Sequence, residues 1–149
     1  MSQVEIIRFE ETRVALIQHR DSPDTVYDST RKLIDWRRAN GVTPGSARTF
    51  GIHHQDQSID LCVSYDKEVT PNPQGVASAV IPASRCARLR HFGSREHIAA
   101  ALYLLHEWLP DSGEALGDFP MFFHYVNVGP QVQDHEMITD VYLPLKNAC

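Results

Sequence analysis

The residues able to do chemistry come in a few types. There are eight histidines (His19, His53, His54, His91, His97, His106, His124 and His135) and three cysteines (Cys62, Cys86 and Cys149). Asp60 and Asp140 lie in short apolar stretches. A metal centre needs several such groups on one side of one element. His53 and His54 are adjacent in a β-type stretch, so they point to opposite faces, and no HExxH or CxxC spacing occurs. No metal and no cofactor are expected. Nucleophilic catalysis is equally poorly served, because there is no GxSxG elbow and no Gly-rich phosphate loop. Cys86 is followed by no obvious base and reads as a small buried hydrophobe. The odd cysteine count without a CxxC fits free thiols in a reducing cytoplasm. Acid–base activation of water would rest on His53, Asp60 or Asp140.

What must position these groups is read from the chain against itself. "RVALIQHRDS" from Arg13 and "RCARLRHFGS" from Arg85 are 72 residues apart. Over forty ungapped pairs from these starts, nine are identical, among them His19/His91, Trp36/Trp108, Gly41/Gly113 and Phe50/Phe122. Ordinary residue frequencies would give roughly two or three. The pattern reads as an internal duplication. Two copies are too few for a solenoid, so two halves about a pseudo-twofold axis are expected.

Each half reads as β-α-β-β. In the first, "TRVALIQHR" is a strand. Ser22 caps a helix with Pro23 at its first position. Val26, Tyr27, Thr30, Leu33, Ile34 and Arg37 form a core-facing stripe, with Trp36 beside it. Gly41 ends the helix. "ARTFGIHH" and "SIDLCVSY" follow as strands joined at "QDQS". In the second half "RCARLRHF" is a strand, with "SAVIPA" running into it. Ser94 caps a helix carrying Ile98, Ala101, Leu102, Leu105, Trp108 and Leu109 on one face, and Pro110 and Gly113 end it. "FPMFFHYVNV" and "EMITDVYLPL" hold the last strands. The expected fold is α+β: one domain over residues 1–149, halves at about 1–68 and 78–146, and a linker at about 69–77. Its antiparallel sheet would carry helices on one face and a groove on the other.

The 149 residues are 42% hydrophobic and 22% charged, as in an ordinary folded domain. The net charge of −5 argues against direct nucleic-acid binding, which needs clustered Lys and Arg. No apolar run is long enough to span a membrane. "MSQVEIIRFEE" lacks the pattern of an export signal. A cytoplasmic location is expected.

The chain resembles the GyrI-like family of small-molecule-binding domains. The likeness rests on the tandem β-α-β-β plan, on "FGIHHQDQSIDLCVSY" and "FPMFFHYVNV", and on the closing "TDVYLPLK". It implies a groove lined by aromatic rings for amphipathic, often cationic, drug-like compounds. It also implies DNA gyrase or a separate DNA-binding regulator as the protein partner. In many members a Pro-x-x-Glu-x-Tyr pattern places a glutamate in the groove. Here Pro120 and Tyr125 match, but Phe123 holds the glutamate's place. A phenyl ring offers a cation only a contact worth about 0.5–2 kcal/mol, so a neutral or flat aromatic ligand is favoured. With Phe123 in the groove, Tyr125 shares its face, and Phe122 and His124 point at the helices. The 72-residue offset adds Gly51 and His53. An 80-residue offset matches Asp60 to Asp140 and Cys62 to Tyr142. The candidate ligand-binding residues are therefore His53, Asp60, Cys62, Phe123, Tyr125 and Tyr142, with Asp140 near the groove's end. His19 and His91 read as strand ends, and the tryptophans as packing. Non-catalytic binding is the favoured function, with hydrolysis of reactive drug-like molecules in the same groove as the alternative.

Overall fold

The computed structural model describes residues 4–19, 26–42, 47–54, 58–92, 101–127, 133 and 136–146. The strands are β1 (Val4–Phe9), β2 (Thr12–His19), β3 (Thr49–His53), β4 (Ile59–Ser64), β5 (Ala77–Ile81), β6 (Ser84–Phe92), β7 (Phe122–Tyr125) and β8 (Ile138–Pro144). Helix α1 is Val26–Ala39, and α2 is the helical stretch 101–112. The fold is α+β, with one open antiparallel sheet of eight strands in the order β1-β6-β8-β7-β3-β4-β2-β5.

Two strands were not expected. "SAVIPA" does not run into β6. Its first residues form β5, which pairs with β2. The residues ahead of β2 form β1, which pairs with β6. Both are short edge strands whose partners lie far off or were already assigned.

Connectivity forces the sheet to curl. Two residues join β1 to β2, so Phe9 and Thr12 are at most about 11 Å apart. In a flat sheet, β1 and β2 would be separated by about 29 Å. The helix-free face is therefore the inside of the curl. Among the described residues it is filled mainly by strand side chains: Phe9, Leu16, Phe50, Cys62, Phe122 and Tyr142 belong to one buried cluster, with Phe119 from the segment before β7 packed against it. Phe122 stacks on Tyr142 at 5.0 Å and meets Phe9 edge-on at 4.9 Å.

The helices cover the outer face in two separate clusters. Leu33 and Trp36 of α1 pack on Ala15, Ile17 and Val63, above β2 and β4. Ala101 and Leu104 of α2 pack on Ala87, Leu89, Phe123 and Val141, above β6, β7 and β8. Gly41 and Gly113 end the helices with φ of 71° and 77°, the left-handed conformation that glycine adopts without strain. Within α2 the turn Leu104–Trp108 widens to π geometry, with Leu109 N–H donating to the Leu104 carbonyl. Pro110 follows directly. Its ring cannot fit a regular turn, and the widening relieves that conflict. Leu104, outside the predicted stripe, is fully buried, while Leu102 and Ile34, both predicted to face the core, are exposed. The cap residues Ser22, Pro23 and Ser94, the side chains of Val26 and Tyr27, and Ile98, His97, His135 and Cys149 lie outside the described residues.

Candidate functional site

Cross-strand register decides which side chains share a face. Gly51 lies opposite Phe123, and Thr49 opposite Tyr125. Directly paired residues point the same way, so Thr49, Gly51 and His53 of β3 share the outer face with Phe123 and Tyr125. Next door, Phe50 pairs with Cys62 and Ile52 with Asp60, while Phe122 pairs with Tyr142 and His124 with Asp140. These eight lie on the inner face.

The six predicted ligand-binding residues therefore divide. His53, Phe123 and Tyr125 come together on the helix-bearing face. Asp60, Cys62 and Tyr142 lie on the other, where Cys62 and Tyr142 are part of the packed interior. Phe122 and His124 do not point at the helices. The reason is physical: Phe123 is the residue that seats beneath Ala101 and Leu104, and alternation turns its neighbours inward.

The outer-face trio has a definite shape. Phe123 is the buried floor under α2, with the His53 ring edge-on at 4.4 Å. Tyr125 is half-buried beside it, ring centres 6.5 Å apart. The Tyr125 ring lies over Gly51, where a Cβ would come within 3.0 Å of the phenol oxygen. The strip of β3 between the two helix clusters carries a side-chain-free point at Gly51, itself buried beneath the Tyr125 ring. Sequence reasoning missed Thr49. Alternation from Gly51 and His53 would have found it.

The inner face carries polar groups at its ends. His54 Nε2 lies 2.7 Å from Asp60 Oδ2. Arg90 holds Asp140 with two bonds of 2.7 and 3.0 Å. Burial raises the pKa of Tyr142, and neighbouring Asp140 adds to this. Burial pushes the Cys62 thiol far up, with Asp60 contributing. It raises Cys86 too, against a hydrogen bond from Ser84. Both thiols are protonated and buried, which disfavours nucleophilic roles. Burial lowers the His124 pKa from its ordinary 6.5, partly opposed by Asp140. The unfolded chain then takes up a proton at His124 before the folded one does. Its contribution to stability is intact above about pH 6.5 and is lost as pH falls below that value. Melting temperatures at pH 5 and 7 should differ less in His124→Phe than in the parent. An equal difference would refute this reading.

An open cleft of about 610 Å³ lies at the end of α1, lined by Glu11, Arg13, Arg48, Asp66 and Lys67 among others. None of the six predicted residues lines it. Its walls are charged, unlike the mostly apolar pockets that hold drug-like molecules. Among the described residues no group of three or more His, Cys, Asp or Glu could hold a metal, and no helix is long and apolar enough to cross a membrane.

Comparison with known proteins fits this plan. A family model, the GyrI-like small molecule binding domain, matches residues 2–146. The chain belongs to the GyrI-like family. This GyrI-like domain is 34% identical over 152 residues to the "Probable transcriptional regulator YgiV" of Escherichia coli (strain K12), covering 95% of each chain. It is 28% identical to a "DNA gyrase inhibitor" of Erwinia billingiae, covering 97% of this chain and 98% of that one. Among solved structures, the C-terminal domain of EcmrR superposes with a TM-score of 0.77 over 99% of both chains at 18% identity. That likeness shows the GyrI-like fold.

Proposed function

We propose that this GyrI-like domain binds a small amphipathic or aromatic molecule, without turning it over, in the outer-face groove above β3 and β7. His53, Phe123 and Tyr125 would be the contacts, with Thr49 and Gly51 added from the geometry. The observation that carries the reading is the Gly51–Tyr125 pair, a position without a side chain beneath a half-buried ring, at the middle of the sheet between the two helix-packed clusters. The family description supports a small-molecule ligand. The names of the two relatives support an output through a separate DNA-binding regulator or through gyrase. At the helix-side positions of β3, β4, β7 and β8 there is no carboxylate among the described residues, which favours binding over hydrolysis.

The groove would lie near the symmetry centre of a duplicated sheet. In this reading each β-α-β-β half lends its leading edge strand to the other. Three features support it. The strand order reads the same from both ends once β1–β4 are matched to β5–β8 in order. The 72-residue offset maps the start of β2 onto the start of β6 and pairs Phe9 with Ile81. Both of those residues are buried in the inner cluster.

A panel of flat aromatic compounds should raise the melting temperature. A ligand at one hundred times its Kd stabilises by about 2.7 kcal/mol, or roughly 5–10 °C for a chain of this size. Tyr125→Ala should abolish the rise. So should Gly51→Val, which pushes the Tyr125 ring off the sheet. Shifts that survive both substitutions would overturn the groove assignment.

A further inference from the structure

The two walls of the groove differ in chemistry. Arg37 lies in the sheet-facing stripe of α1, yet its Nη2 is buried with no hydrogen-bond partner. Burial depresses its pKa. A buried, unanswered guanidinium donor is costly and calls for an explanation. Its direction follows from helix geometry. Trp36 meets the Tyr65 ring edge-on at the end of β4 and shares a buried cluster with Leu33 and Val76. Arg37 is about 100° further round the helix, on the other side of Leu33 from Trp36.

A second orphan lies at the same end of the sheet, where α1 ends and β3 begins. Thr49 Oγ1 is buried without a partner on the groove side of β3. The 72-residue offset supplies an internal control, since Arg37 corresponds to Leu109 and Thr49 to Met121. Both of those residues pack in the apolar cluster under α2. One half of the molecule thus fills these two positions with hydrocarbon, and the other fills them with unpaired donors. The acidic strand residues Asp60 and Asp140 are on the opposite face.

We infer that the groove's ligand is an amphipathic organic anion, with its acid group on Arg37 and Thr49 and its apolar body on Tyr125 and the α2 side. A guanidinium–oxyanion pair in a partly desolvated groove is among the stronger polar contacts a protein makes. This inference rests on the groove reading above and adds the sign of the ligand's charge.

Two dyes with nearly the same aromatic body separate the two claims: anilinonaphthalene sulfonate and uncharged phenylnaphthylamine. Each is titrated by fluorescence into the full chain. The sulfonate should bind at least tenfold more tightly. Arg37→Leu, which installs the other half's residue, should erase that preference and leave the neutral dye's affinity within twofold. Arg37→Gln serves as the second variant if the leucine form does not melt cooperatively. Tyr125→Ala should weaken both dyes. Equal binding of the two dyes by the parent, or a preference that survives loss of Arg37, would overturn the anion inference while leaving the groove intact. If neither dye binds, or if both bind Tyr125→Ala normally, the groove reading fails and takes the inference with it.

Discussion

Replacing Phe122 with alanine should destabilise the fold by about 3–5 kcal/mol, the range for emptying a buried phenylalanine site. For a chain of this length that is on the order of 10 °C in melting temperature. The site cannot collapse easily. Phe122 is fully buried, and its ring is held by Phe9, Phe119 and Tyr142 at centroid distances of 4.9, 6.0 and 5.0 Å. Those neighbours come from β1, from the segment before β7, and from β8, so the cavity would open where distant parts of the chain meet. Ligand binding in the groove should survive, because Phe122 faces away from it. The result separates two views of the inner face. If that face were an open binding surface, truncating one ring would change stability little, and a shift below about 3 °C would support that view. The packed-interior view needs a large loss with the dye response at Tyr125 preserved.

The residues bear out much of the local reading and explain where it stopped. β2 and β6 begin at the same point of the 72-residue offset, Thr12 and Ser84. α1 ends at Ala39, just ahead of the predicted Gly41 stop. These are local signals: a run of β-formers, an amphipathic stripe, a glycine. β1 was not legible. "VEIIRF" is six residues long, and its partner strand begins about eighty positions later. Nothing local distinguishes such a segment from an extended tail.

The site was half legible for a related reason. Alternation within a strand tells which residues share a face, so Phe123 with Tyr125 and Gly51 with His53 were read correctly as sets. Parity between strands depends on hydrogen-bond register, which the turns set. Asp60 and Cys62 were joined to His53, but the register pairs Cys62 with Phe50 and places His53 opposite Ile59. Slipping the register by one residue would have put them together. Arg37 was visible in the helical stripe from the start. Its meaning emerged only when the structure showed its donor buried and unanswered.

The largest polar effect should come from the inner face. Asp140 is only 2% exposed, and both of its oxygens are engaged by Arg90. Arg90→Met leaves that carboxylate buried without its cation. The loss should be about 3 kcal/mol, at the lower end for a broken buried pair because Arg90 itself is 43% exposed. Asp140→Leu alone strands the guanidinium, which can turn to water, and should cost less. The double variant should recover most of the Arg90→Met loss, since hydrocarbon in place of a buried ion pair is often neutral. A coupling energy of about 2 kcal/mol in this cycle would show that the pair matters chiefly because either partner alone is costly. The other end of the same face sharpens the point. Asp60 occupies the matching position, but its cross-strand neighbour is Gln18 rather than arginine, and Asp60 Oδ1 has no partner among the described residues. The fold tolerates one incompletely answered carboxylate there, with His54 on its other oxygen. If Arg90→Met proves equally harmless, with a loss below about 1 kcal/mol, then Asp140 is answered by solvent in the folded state and the clamp is not what secures this end of the curl.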